Sequence, residues 1–135
     1  TLTRRHPVPI GVVDLVRDAL RMRPDRIVVG EMREGSAALE TLKAWNTGHP
    51  GGLSTIHANS AAEALSRLAD LLAEVGSPLP ARVIAKAVNV IVHIRREPHR
   101  RRADAILGVT GWSADGYALC EVGGPPSRSA RGGGF

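Results

Sequence analysis

The sequence predicts an α/β domain in which short parallel strands with flanking helices are followed by a small antiparallel unit. Three observations predict it. Ile27-Val28-Val29 is a run of branched apolar residues bounded by Pro24 and Gly30, which reads as a buried parallel strand. Apolar residues at helical spacing stand on both sides of that run. After Val88 the pattern changes from alternating helix and strand to strand alone.

In chain order, apolar residues at 12, 13, 15, 16, 19, 20 and 22 give a helix over Val12 to Met22. Pro24 ends it, because proline disfavours the helical state of the residue before it. The strand Ile27 to Val29 follows, with Glu31 just past its end. Ala38, Leu39, Leu42 and Trp45 fit one face of a helix from Gly35 to Thr47, and Gly48 is a natural stop. Leu53 to His57 reads as a second short strand. Ser60-Ala61-Ala62-Glu63 has capping-box spacing, and Leu65, Leu68, Ala69, Leu72 and Val75 continue an amphipathic helix to Gly76. Ser77 to Pro80 is a turn, Ala81 to Ala87 a short helix and Val88 to Ile94 a β-branched strand. An arginine-rich loop, Arg95 to Arg102, leads to Ala105–Thr110, and Ala114-Asp115-Gly116 turns into Tyr117–Val122. The tail, 123–135, holds five Gly, two Pro, two Ser and two Arg and is expected to be disordered, for want of apolar surface to bury.

The chain's 135 residues, 43% hydrophobic and 23% charged, suit one domain or a large piece of one. No apolar run approaches the ~20 residues that span a bilayer. The N-terminus lacks a starting Met and a signal-peptide core, so a cut is expected there rather than a targeting segment. Cys120 is alone, which excludes an intrachain disulfide and points to a reducing compartment. The formal charge is +5, of which residues 95–102, with five arginines and Glu97, carry +4. Such a cluster could touch nucleic acid or an acidic membrane surface. With aromatics at 3% no base-stacking array can be drawn, so a solvated hairpin loop is expected and direct nucleic-acid binding is not.

Two stretches bring polar chemistry to strand ends. Glu31 places a carboxylate where ligands sit in open α/β sheets, beyond the carboxyl ends of the strands, and can there polarise a water or share in holding a magnesium ion. On spacing alone it is equally an exposed acid in a turn. Arg33 could reach a phosphate or form a surface ion pair. Thr47-Gly48-His49-Pro50-Gly51-Gly52 is a flexible turn, after which Ser54, Thr55 and His57 offer hydroxyl and imidazole donors to an anion. His49 and His57 have no third ligand at zinc-like spacing, so no direct metal site is expected. Ser54 with His57 lacks a Gly-x-Ser-x-Gly elbow.

These residues carry a resemblance. Leu20-Arg-Met-Arg-Pro-Asp-Arg-Ile-Val-Val-Gly-Glu-Met-Arg33 resembles the Walker B segment of the secretion traffic ATPases, RecA-like hexameric motors of type IV secretion, conjugation, type II secretion and pilus assembly. Ala44 to Ser60, with Trp-Asn-Thr-Gly-His-Pro-Gly-Gly and Ser-Thr-Ile-His-Ala-Asn, resembles their histidine box. The resemblance covers about Leu15 to Val122, and the conjugal-transfer (Trb-type) branch is the most similar. It implies a RecA-like P-loop NTPase half-domain over residues 1–122, with ATP and Mg²⁺ as cofactors. Glu31 matches the catalytic glutamate that activates water, His57 the histidine that approaches the γ-phosphate, and Arg33, His49 and Thr55 supporting phosphate-binding groups. Magnesium would be reached through Glu31 and water. Glu34 and Ser36 replace a Gly and a Glu common in the family.

The 135 residues contain no Gly-x-x-x-x-Gly-Lys-Ser/Thr, and neither Lys43 nor Lys86 follows a glycine-rich loop. The family places that motif upstream, so these residues resemble the C-terminal half of an ATPase domain. The resemblance implies a homo-hexamer, cytoplasmic or peripheral to the inner membrane, working with inner-membrane secretion or conjugation proteins. The competing expectation is a non-catalytic assembly or binding remnant of such an ATPase, or a member of the type II secretion and pilus branch.

Overall fold

The structure is a computed structural model, and it describes residues 10–76 and 79–122. Its elements run α1 (Val12–Arg21), β1 (Val28–Val29), α2 (Gly35–Asn46), β2 (Leu53–Ser54), α3 (Ala64–Glu74), α4 (Ala81–Ala87), β3 (Val90–Arg96), β4 (Arg101–Ser113) and β5 (Gly116–Glu121). The expected α/β order holds, with a parallel pair first and an antiparallel unit after it. The expected disordered tail lies outside the described residues.

β1 and β2 pair in parallel, Val28 opposite Leu53 and Val29 opposite Ser54. β3, β4 and β5 form a separate antiparallel sheet in that order. Both sheets rest on one helical layer. Ala38 and Leu42 of α2, Leu65, Leu68 and Leu72 of α3 and Ile84 of α4 make the main core with Met32. Ile56, just past the parallel pair, and Ile91, Val109, Tyr117 and Leu119 of the antiparallel sheet pack against it. A second cluster joins Val16 of α1 to Ile27, Val29 and Ala44. Glu40 ties α1 to α2 through Arg17, at 3.4 Å, and also engages Lys43.

Three expectations need correction. The first strand is not buried on both faces: Ile27 and Val29 turn inward while Val28 is 68% exposed, as is its partner Leu53 at 66%. Strand side chains alternate, and no described element covers the outer face. The helix after His57 begins at Ala64, not Ser60. Ser60 Oγ does accept the Glu63 N–H at 3.2 Å, but the Glu63 carboxylate takes the Asn59 amide at 3.1 Å instead of closing the box.

The third correction concerns the arginine-rich loop, half of which is strand. Arg95 stands opposite Arg102 and Arg96 opposite Arg101, leaving only residues 97–100 as the turn, closed by the Glu97 N–H to the Arg100 carbonyl at 2.8 Å. Pro98 supplies the fixed φ that a tight turn favours. One more residue breaks this hairpin's register. His93 faces Ala105 and Ile94 faces Ala103, so Asp104 bulges out of the ladder. It reaches Arg95 directly and lies 3.6 Å from His93 Nδ1.

Candidate active site

Past the parallel pair the two chains stay joined, which is what aims Glu31. The Met32 N–H donates to the Thr55 carbonyl at 2.8 Å, and the Thr55 hydroxyl donates to the Gly30 carbonyl at 2.7 Å. Met32 is buried in the main core. The backbone on either side of Glu31 is therefore pinned, and alternation turns Glu31 away from the side Met32 occupies. Its side chain is 24% exposed. Oε2 accepts Arg33 Nε–H at 2.6 Å. Oε1 lies 2.9 Å from His57 Nε2, yet it is buried and no aligned hydrogen bond reaches it. His57 itself is 91% exposed. The pair is thus a half-sheltered carboxylate with an open imidazole at its lip.

The loop before β2 is shaped by glycine. At Gly52 a Cβ would overlap the Trp45 indole nitrogen and stand 2.6 Å from the Ile27 carbonyl oxygen. Trp45 Nε1 donates to that same carbonyl at 3.3 Å. Gly51 adopts φ 78° and lies under the Arg26 guanidinium. This loop meets the parallel pair at its N-terminal end, so His49 belongs to the end opposite Glu31. Its Nδ1 is buried without a hydrogen-bond partner.

Of the five residues singled out from the sequence, the structure gathers Glu31, Arg33, Thr55 and His57 at the C-terminal ends of the paired strands. It does not bring His49 to them. Arg33 and Thr55 are both engaged inside the site, Arg33 on the carboxylate and Thr55 on a backbone carbonyl, so the one hydroxyl proton of Thr55 is already used.

Sequence reasoning missed the far wall. Beside His57 a cleft of about 480 Å³ opens against α3, lined by Asn59, Glu63, Ser66, Arg67 and Asp70. Glu63, Arg67 and Asp70 stand four and then three residues apart, the spacing of one helix face, and that spacing was the available signal. Among the described residues no group of three or more His, Cys, Asp or Glu could hold a metal ion. No described helix is long and apolar enough to cross a membrane.

The pattern of the Type II/IV secretion system protein family matches residues 6–127. The conjugal transfer protein TrbB of Rhizobium radiobacter is 47% identical over 108 residues, which are 80% of this chain and 33% of that protein. The type IV secretion system protein VirB11 of Bartonella quintana is 42% identical over 65 residues, 48% of this chain and 18% of that one. The crystal structure of the VirB11 ATPase from the Brucella suis type IV secretion system, in complex with sulphate, superposes with a TM-score of 0.66 at 29% identity. It covers 74% of this chain and 32% of that one. The chain thus spans about a third of the length of its TrbB relative. A family pattern that takes in nearly the whole sequence, beside a solved ATPase of the same fold, leads to one conclusion: the chain belongs to the secretion traffic ATPases of the type II/IV secretion system protein family.

Proposed function

We propose that these residues form the C-terminal part of an ATP-hydrolysing motor subunit of a conjugative transfer or type IV secretion system. The observation that carries the reading is the 2.9 Å approach of His57 Nε2 to Glu31 Oε1, across the C-terminal ends of two directly paired parallel strands. A buried carboxylate oxygen without an aligned hydrogen bond is placed to accept one from a water. Glu31 then orients the attacking water and takes up its proton. Arg33 donates to the other oxygen and so fixes the direction of the carboxylate. His57 faces outward, toward the γ-phosphate and toward a neighbouring subunit.

ATP supplies the phosphoryl group, and Mg²⁺ would neutralise its charge, reached from Glu31 through water. The cradle for the β- and γ-phosphates has no counterpart in the sequence, which holds no Gly-x-x-x-x-Gly-Lys-Ser/Thr. The second reading is a non-catalytic assembly module of such a machine. Under the first reading the working subunit is a homo-hexamer on the cytoplasmic side of the inner membrane, docked on secretion or conjugation proteins.

The test is a full-length subunit that carries these residues. Glu31→Gln should lower turnover by about 10²-fold or more while ATP still binds, because a water-orienting base acts in the transition state. His57→Ala should reduce turnover without lowering the melting temperature, since an exposed imidazole contributes little to packing. Hydrolysis by Glu31→Gln at the unsubstituted rate would remove the phosphoryl-transfer assignment.

A further inference from the structure

The antiparallel sheet turns one face to the core, and that face carries a charge arrangement its own fold does not need. Strand alternation places Ile91, His93 and Arg95 of β3 on it, and Ile91 packs against the main core. Arg102 of β4 stands directly opposite Arg95 and so shares the face, while Arg96 and Arg101 project from the other. Two like charges opposite one another destabilise a ladder. The bulged Asp104 answers Arg95, but among the described residues no carboxylate pairs with Arg102. Between this face and the segment leading into α3 lies a groove of about 640 Å³, with His93, Arg95 and Asp104 on one side and Asn59, Ser60 and Ala62 on the other. It is not the cleft beside His57, since Asn59 alone lines both. The groove shelters its polar groups: the side chains of His93 and Asp104 are 22% and 29% exposed.

We propose that this groove binds a phosphate group, held between Arg95 and Arg102 with the His93 ring and the Ser60 hydroxyl as further donors. A guanidinium carries five N–H donors in a planar fork that matches phosphate, and the bond to Asp104 leaves most of those of Arg95 unused. Ser60 Oγ accepts the Glu63 N–H, so its own proton remains to be given. Two guanidinium groups against one carboxylate leave the face cationic, and an anion between them removes the repulsion that the ladder otherwise bears. The groove exceeds the volume of a bare phosphate ion and suits an organic phosphate or a diphosphate. A soluble diphosphate and a phospholipid headgroup share this chemistry. Neither Glu31 nor His57 lines the groove, so binding here stands apart from their role in hydrolysis.

The 135-residue chain is titrated at about 50 mM salt, where exposed charges are weakly screened, with inorganic pyrophosphate and separately with dihexanoylphosphatidylglycerol below its micelle concentration. The NMR signals of His93 and Ser60 should move together to saturation with at least one of them. The tighter of the two names the source, soluble or membrane. Arg102→Gln should weaken that binding about fivefold or more, as the loss of a charged donor to phosphate does. Arg101→Gln removes the same charge from the opposite face and should change binding by less than about twofold. Arg95→Gln should match Arg102→Gln; because it also frees Asp104, circular dichroism checks its fold, and if it unfolds Arg102→Gln decides alone. Without ligand, Arg102→Gln should melt no lower than the unsubstituted chain, since it removes one of two opposed charges. The proposal is overturned if neither probe saturates those signals, if Arg102→Gln weakens binding by less than the stated factor, if Arg101→Gln weakens it as much, or if Arg102→Gln melts lower.

Discussion

Thr55 shows how one hydroxyl can help fix a carboxylate it never touches. Its proton goes to the Gly30 carbonyl, one residue before the carboxylate it helps aim. Thr55→Val should cost about 0.5–1.5 kcal/mol of stability and lower turnover of the full-length enzyme, while Thr55→Ser should restore both; equal melting temperatures for Val and Thr would argue against the pin. Asp104 makes a second case. The hydrogen bond from Arg95 holds its carboxyl below the ordinary value of 3.8, against a smaller upward push from desolvation and with further help from the charges of Arg95 and His93. A depressed carboxylate stabilises the fold above the unfolded-state pKa and loses that contribution as pH falls through the folded-state one. Asp104→Asn should therefore melt lower near neutral pH, with the gap to the unsubstituted chain closing below about pH 3.8. A gap that persists unchanged in acid would assign the loss to packing instead. The meeting of Glu31 and His57 was legible because short apolar runs end just before them. His49 precedes β2 and His57 follows it, and a motif read along the sequence does not show that the intervening strand carries its two ends apart.

Among the elements, the helices were legible to within a residue or a turn, since a buried stripe recurs every three or four positions and caps mark its ends. The hairpin was legible as two strands and a loop, but not how far the strands run into the arginines. Five arginines in eight positions erase the in-and-out alternation that identifies a strand, so a ladder reads as a solvated loop. Where helices meet, the limiting feature is the start of α2. A Cβ at Gly35 would overlap the Leu71 carbonyl of α3 and stand 2.9 Å from Val75 Cγ2. Gly35→Ala must push α2 off α3, at a cost of about 1–3 kcal/mol. In urea unfolding the midpoint should fall with the slope unchanged; an unmoved midpoint would mean that the two helices part without cost.

For the molecule as a whole, the two sheets share a helical layer without sharing a strand, and apolar side chains line what is left open: Val28 beside Leu53, and Val90, Val92 and Ile94 along β3. The TrbB relative is about three times as long as the matched region. The chain on its own should bind ATP weakly and turn it over negligibly, since Glu31 and His57 supply no substitute for a phosphate cradle. Calorimetric binding in the micromolar range by the isolated chain would contradict this. Trp45 touches all of these parts. Its ring packs against both core clusters, its N–H holds the carbonyl of Ile27, and Gly52 lies where nothing larger fits beside it. The chain therefore contains an optical gauge at the junction of α2, β1 and the loop before β2. Trp112, the other tryptophan, is half exposed on the antiparallel sheet and emits from a wetter setting. A change confined to the blue side of the tryptophan emission would record movement of the glycine loop in real time, with no label attached.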